Sequence, residues 1–121
     1  MKSLCLIRDI YRSIREFEIE FQQKHDLCLN EGMLLCSLRS GKLSSGEIAE
    51  KLGLTNSNTS KVIRSVEDKG FIERLLGEGD KRQMYFLLTS KGEAMLQEIS
   101  CEDQRMRIII NEITNKKEYV G

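Results

Sequence analysis

Ser44-Ser45-Gly46-Glu47-Ile48-Ala49-Glu50-Lys51-Leu52-Gly53-Leu54-Thr55-Asn56-Ser57-Asn58-Thr59-Ser60-Lys61 is the stretch whose reading decides the fold. Ser44 and Glu47, three residues apart, have the form of a capping box. In that arrangement each side chain satisfies the other residue's free backbone N–H at a helix start. Ile48, Ala49 and Leu52 then make one apolar stripe at helical spacing. Gly53 tolerates the positive φ that a tight turn requires. Leu54 plugs the corner, and Thr55 is placed to cap a second helix. Ala49, four residues before the glycine, is small enough for two helices to cross closely. These are the sterics of a helix-turn-helix, whose second helix enters a DNA major groove.

The second helix is expected over roughly Asn56 to Lys69. Thr59, Val62, Ile63 and Val66 should face inward, and Ser57, Asn58, Ser60, Lys61, Arg64 and Ser65 outward. Short polar donors with two cations suit base edges and phosphates. An ordinary solvated helix face carries more Glu and Lys, because Ser and Asn are mediocre helix formers. Asn58, Ser60, Lys61 and Arg64 are therefore candidate major-groove contacts. Asn56 and Ser57 lie by the helix start and the phosphates, and Ser45 at the start of the first helix joins the candidate set.

Gly70 ends the helix. Phe71 to Leu76 reads as a strand, Gly77-Glu78-Gly79-Asp80 as a tip, and Gln83 to Leu88 as the return strand. Ser90 and Glu93 form a second candidate capping box, opening a last helix over roughly Ser90 to Lys116. A helix-turn-helix plus a hairpin with Lys81 and Arg82 at its base is a winged helix. The fold class expected is mainly α with a small β-hairpin wing.

Four blocks then acquire a joint meaning. Leu52-Gly53-Leu54-Thr55, Lys69-Gly70-Phe71-Ile72-Glu73-Arg74, Asp80-Lys81-Arg82 and Leu88-Thr89-Ser90-Lys91-Gly92 follow in the register of the MarR family of bacterial transcription regulators, which this chain resembles over about half its length. The resemblance implies a homodimer whose recognition helices enter successive major grooves of an operator while the wings reach flanking minor grooves. It implies that Arg82 enters the minor groove and that Asp80 orients it through a charge-assisted hydrogen bond. Arg74 would contact the DNA backbone or brace the wing. Taken alone, Asp80 and Arg82 would be a solvent-exposed ion pair of little energetic weight.

Composition sets the bounds. A length of 121 residues suits one domain. Within it, 1–29 is expected as an N-terminal dimerisation helix, 30–89 as the winged helix-turn-helix, and 90–121 as a C-terminal dimerisation helix. Proline is absent, which fits a mostly helical chain. No apolar run approaches the roughly 18–20 residues of a membrane span, and Met1-Lys2-Ser3 leads straight into an amphipathic segment, so a cytoplasmic protein without a membrane partner is expected. Nineteen basic residues balance nineteen acidic ones. From Thr55 to Gly92, however, seven Lys or Arg face five Asp or Glu, and from Glu93 onward four face six. Few phosphates would be neutralised per subunit, so non-specific DNA binding should be weak.

The flanks carry apolar stripes. Ile7, Ile10, Ile14, Phe17 and Phe21 repeat at intervals of three and four. Met95, Ile99, Met106, Ile109 and Ile113 do the same, widened by Ile108 and Ile110. A face this broad exceeds what one small domain covers, which points to a second copy. The segment after the wing is shorter than is usual in the family, leaving room for one long helix rather than two. Between the lobes, Glu31 to Ser40 reads as a linking helix, with Met33, Leu34, Leu35 and Leu38 in the core.

The resemblance also brings a small phenolic or anionic effector, bound between the dimer helices and the DNA-binding lobe. Tyr11, Arg12, Arg15 and His25 are the side chains on offer, though surface or interface roles explain the first three better. Leu4-Cys5-Leu6 resembles the reactive-cysteine position of the organic-hydroperoxide-sensing branch. The helix start and nearby Lys2 and Arg8 favour a thiolate at Cys5. That branch surrounds its cysteine with tyrosines, and only Tyr11 is present here. The default for Cys5, Cys28, Cys36 and Cys101 is free thiols, mostly buried as small apolar groups.

With a single histidine and no Cys-x-x-Cys spacing, neither a metal site nor a cofactor is indicated. No phosphate loop or nucleophile–base pair suggests an enzyme, and His25-Asp26 reads as a helix end. The remaining alternative is a winged helix used only for protein docking. That use calls for exposed aromatic or aliphatic anchors, which the Ser57–Arg64 face lacks.

Overall fold

The computed structural model describes residues 2–77, 79, 83–100 and 106–111. The described elements run α1 (Lys2–His25), α2 (Leu29–Ser37), a 3-10 turn (Leu38–Ser40), β1 (Leu43–Ser44), α3 (Ser45–Leu52), α4 (Asn56–Asp68), β2 (Ile72–Leu76), β3 (Met84–Leu88) and α5 (Ser90–Ser100). Residues 106–111 are also helical. The result is a winged helix-turn-helix, mainly α with a small antiparallel sheet. The chain groups into two compact units. One is Leu29–Glu98, and the other comprises the flanking segments on either side.

In the Leu29–Glu98 unit the helices turn their apolar stripes onto one core. Leu34 and Leu35 from α2, Leu38 from the 3-10 turn, Ile48 and Ala49 from α3, and Ile63 and Val66 from α4 are all buried. Phe71, Ile72 and Phe86 close it from the sheet side. Met33 departs from expectation: it stands 45% exposed on the outer side of α2. The linking helix begins two residues earlier than expected, at Leu29, and its last turn tightens into the 3-10 conformation before Gly41.

The hairpin pairs Ile72 with Leu88 and Leu76 with Met84, and Gly77 N–H donates to Gln83 O at 2.8 Å. The sheet has a third strand that the sequence did not reveal. Leu43 pairs with Phe86 and Ser44 with Tyr85, giving the strand order β1-β3-β2. Ser44 thus ends a strand and begins a helix, tying the helix-turn-helix to the wing.

The start of α5 differs from the expected capping box by one residue. Thr89, not Ser90, is the cap: its hydroxyl accepts Gly92 N–H at 3.0 Å and donates to Gly70 O at 2.6 Å. Thr89 N–H donates to Phe71 O at 3.0 Å. A methyl group on Gly92 would collide with that same Phe71 carbonyl, so only glycine fits there.

In the other unit, α1 ends where Asp26 takes the left-handed conformation and its N–H donates to Gln22 O. Lys24 and His25 place positive or polar groups at the helix's carboxyl end. Phe21 is buried, with Phe17 and His25 against it at ring separations of 5.9 and 4.9 Å. Farther back, the apolar face is open. Leu4, Ile7, Tyr11 and Ile14, spaced at three and four, are 67%, 48%, 63% and 38% exposed.

Candidate nucleic-acid interface

Local chemistry builds the helix-turn-helix as the sequence reading expects. Ser44 Oγ accepts Glu47 N–H at 3.2 Å, and Glu47 Oε1 accepts Ser44 N–H at 2.9 Å. The Ser44 backbone N–H first, and its hydroxyl second, hold the Glu47 carboxyl below the ordinary carboxylate range. Gly53 sits at φ 67°, and Leu54 N–H reaches back to Ala49 O at 3.0 Å. Thr55 Oγ1 caps α4 by accepting Asn58 N–H at 3.1 Å. The Thr59 hydroxyl, buried beneath, donates to Thr55 O at 2.7 Å.

Thr59, Ile63 and Val66 fix which side of α4 is inward. At 3.6 residues per turn, the side opposite carries Ser57, Lys61, Arg64 and Asp68. Asn58 and Ser65 fall on one shoulder of that stripe, Asn56 and Ser60 on the other. Asn56, Ser57, Asn58, Ser60, Lys61 and Arg64 are all exposed, as is Ser45 at the start of α3. Ser57, Ser60, Lys61, Arg64, Ser65 and Asp68 line a shallow, open depression along the helix.

Charge pairing singles out the same face. In this unit Lys69 pairs with Glu31, Arg74 with Glu67, Lys91 Nζ donates to Lys69 O, and Lys42 lies over the Tyr85 ring. Among the described residues, Lys61 and Arg64 make no such contact. Two unspent cations beside hydroxyl and amide groups suit a polyanion with polar edges. Asp68, which the sequence reading left out, adds an acidic group at the carboxyl end of the stripe.

Ser65 does not face solvent as expected. Its hydroxyl donates to Glu31 Oε2 at 2.7 Å, and Lys69 Nζ reaches the same carboxylate at 3.1 and 3.3 Å. Glu31 is 6% exposed, a buried acid in the first turn of α2. Its one sequence signal was an acid inside the apolar run Leu27–Leu38.

Arg74 forks onto Glu67, Nε to Oε2 at 2.7 Å and the second nitrogen to Oε1 at 3.1 Å, and lies over the Phe86 ring at 5.4 Å. It therefore links β2 to the last turn of α4, and this ion pair raises its pKa. Asp80, Lys81 and Arg82 lie outside the described residues, as does Cys101. Cys5 and Cys36 are exposed and Cys28 half-buried, so these thiols are not the core residues expected. Among the described residues no His, Cys, Asp or Glu cluster could hold a metal ion, and no helix is long and apolar enough to cross a membrane.

Comparison with known proteins gives a consistent result. Residues 29–84 match the MarR family. The HTH-type transcriptional regulator PetP of Rhodobacter capsulatus is 39% identical over 57 residues, 47% of this chain and 34% of that protein. The uncharacterized HTH-type transcriptional regulator YwaE of Bacillus subtilis is 22% identical over 104 residues, 82% of this chain and 61% of that one. The chain thus spans between about a third and three fifths of these curated relatives. Among solved structures, the transcriptional regulator BldR from Sulfolobus solfataricus superposes with a TM-score of 0.76 at 25% identity, covering 93% of this chain and 79% of that one. A MarR mutant from E. coli, crystallised with operator DNA, gives a TM-score of 0.76 at 22% identity over 91% and 78% of the two chains.

Proposed function

We propose that the chain, whose residues 29–84 match the MarR family, is a member of that family and a sequence-specific, double-stranded DNA-binding transcription regulator. One observation carries the reading. The outward stripe of α4 presents Ser57, Lys61 and Arg64, flanked by Asn58 and Ser60, and both cations are left free of protein partners among the described residues. These groups suit base edges and phosphates, on a helix set in place by its turn and buried side. Asn56 is exposed in the first turn of the same helix, Ser45 at the start of α3, and Arg74 where it pairs with Glu67; the motif adds Asp80, Lys81 and Arg82 as wing contacts.

The active species is a homodimer. Leu4, Ile7, Tyr11 and Ile14 form a continuous exposed apolar stripe on α1, and Ile108 and Ile110 are 51% and 57% exposed. A second copy covers such a surface. The protein acts in the cytoplasm as a repressor, released by a small phenolic or anionic ligand or by an oxidant. Cys5 is exposed, which meets the access requirement for a sensing thiol. A Cys5→Ser protein still released from DNA by peroxide would remove it from that role.

The test is an anisotropy titration of a duplex from upstream of the protein's own gene against a shuffled duplex, at two salt concentrations. A preference on the order of a thousandfold or more is expected for a specific site. Absence of binding to either duplex at low salt would overturn the reading. It would favour a protein-docking winged helix, for which Leu75 and Leu76, exposed on β2, would be the anchors.

A further inference from the structure

Glu31 is the one buried carboxylate among the described residues, and it binds Ser65 of α4 and Lys69 at that helix's cap. It sits in the first turn of α2, where the helix dipole favours an anion. Lys69 caps the carboxyl end of α4, where the dipole favours a cation. Ser65 lies on the shoulder of α4 between its buried side and its outward stripe. One carboxylate thus grips α4 at two points a helical turn apart.

Such a cluster contributes little to stability as such. Removing two charges from water offsets most of their attraction, and apolar replacements of similar volume are often neutral or stabilising. What a buried polar pin can do is select one arrangement among several of similar energy. Thr59, Ile63 and Val66 hold α4 against the domain by one buried side, and because apolar contacts are non-directional they define its roll less sharply than hydrogen bonds do. A roll of about 15° moves side-chain tips at a radius of roughly 5–6 Å by about 1.5 Å. That exceeds the roughly 0.5 Å within which a binding constellation must be held.

We propose that Glu31 is a positioning residue for DNA readout: by holding Ser65 and Lys69 it fixes the roll of α4, and so aims Ser57, Lys61 and Arg64 at their base edges. The proposal rests on the DNA-binding reading. It assigns a specificity role to a side chain that never meets DNA. Phosphate contacts tolerate small displacements and set the salt dependence, whereas hydrogen bonds to base edges do not tolerate them.

The experiment uses the full chain and a duplex selected by the unaltered protein from a randomised pool. Glu31→Gln keeps an acceptor for Ser65 and loses the charge. The double variant Glu31→Leu with Lys69→Met removes the pin while keeping an apolar, foldable contact. Both should fold, by circular dichroism and thermal melting. Their preference for the selected over a shuffled duplex should fall by about tenfold or more, with affinity for the shuffled duplex and the salt slope unchanged. Melting temperatures that fall while the preference holds would overturn the proposal and leave Glu31 a structural residue. Equal losses on both duplexes would also overturn it. Failure of the unaltered chain to enrich any sequence would sink the DNA reading itself, and this proposal with it.

Discussion

Replacing Ser44 by alanine perturbs the junction of strand and helix through one oxygen atom. The substitution deprives the Glu47 N–H of its acceptor at 3.2 Å and leaves the return bond to Glu47 Oε1 at 2.9 Å in place. An N-cap serine replaced by alanine costs about 0.5–2 kcal/mol. Ser44 is 7% exposed, so water poorly replaces the missing acceptor, which puts the cost near the top of that range, at about 1.5–2 kcal/mol. Thr55 provides the internal control. It caps α4 in the same way but is exposed, so Thr55→Ala should cost only about 0.5–1 kcal/mol. For a chain of 121 residues, 1 kcal/mol shifts Tm by roughly 3–5 °C. Ser44→Ala should therefore lower Tm by about 5–10 °C and Thr55→Ala by about 2–5 °C. Urea titrations followed by far-ultraviolet circular dichroism should show the midpoint moving with an unchanged m value. The pH dependence gives a second readout. The Glu47 carboxyl is depressed in the folded state, so its contribution is present above the ordinary carboxylate pKa and is lost as pH falls through the folded value. Ser44→Ala should shrink that acid-side loss, and Glu47→Gln should abolish it. Equal stability losses at Ser44 and Thr55 would refute the idea that burial sets the magnitude.

Gly92→Ala forces a methyl group onto the Phe71 carbonyl and should cost about 1–3 kcal/mol, read in the same urea titration. Glu67→Gln breaks a pair whose arginine is half exposed, so its stability effect should stay within about 1 kcal/mol, a small midpoint shift in urea. Lys61→Gln should reduce the slope of log affinity against log salt by about 0.9 for each phosphate that Lys61 neutralises; an unchanged slope would take Lys61 off the phosphates. Ile7→Glu puts a charge into the exposed stripe of α1 and should shift the chain toward monomer in sedimentation equilibrium.

What was legible in the sequence was local chemistry. Ser44, Glu47, Gly53 and Thr55 each act on atoms within four residues, so their spacing suffices to place them. The same holds for the split between Thr59, Ile63 and Val66 inside and Lys61 and Arg64 outside. The third strand was not legible, because Leu43–Ser44 is too short to show periodicity and exists only through Phe86 and Tyr85. Spacing to Glu93 pointed to Ser90 as the cap, but Gly70 O and Phe71 O, brought in by the fold, select Thr89. Ser65 looked outward by period alone, but its partner Glu31 lies 34 residues away. Stripes of Ile and Leu on α1 declared an apolar face without saying what covers it.

The carboxyl end of α4 is gripped from several directions. Glu31 holds Ser65 and Lys69, Arg74 holds Glu67, Lys91 Nζ takes the Lys69 carbonyl, and Thr89 takes the carbonyl of Gly70. The amino end is held by the exposed cap at Thr55, the buried hydroxyl of Thr59 and the short turn from α3, where Leu54 N–H donates to Ala49 O. Support along this helix is therefore graded. Its far end is clamped to α2, β2 and α5, like a beam built into a wall, and Asn56, Ser57 and Asn58 lie farthest from that anchorage. Any force strong enough to move the clamped end must carry the start of α5 with it.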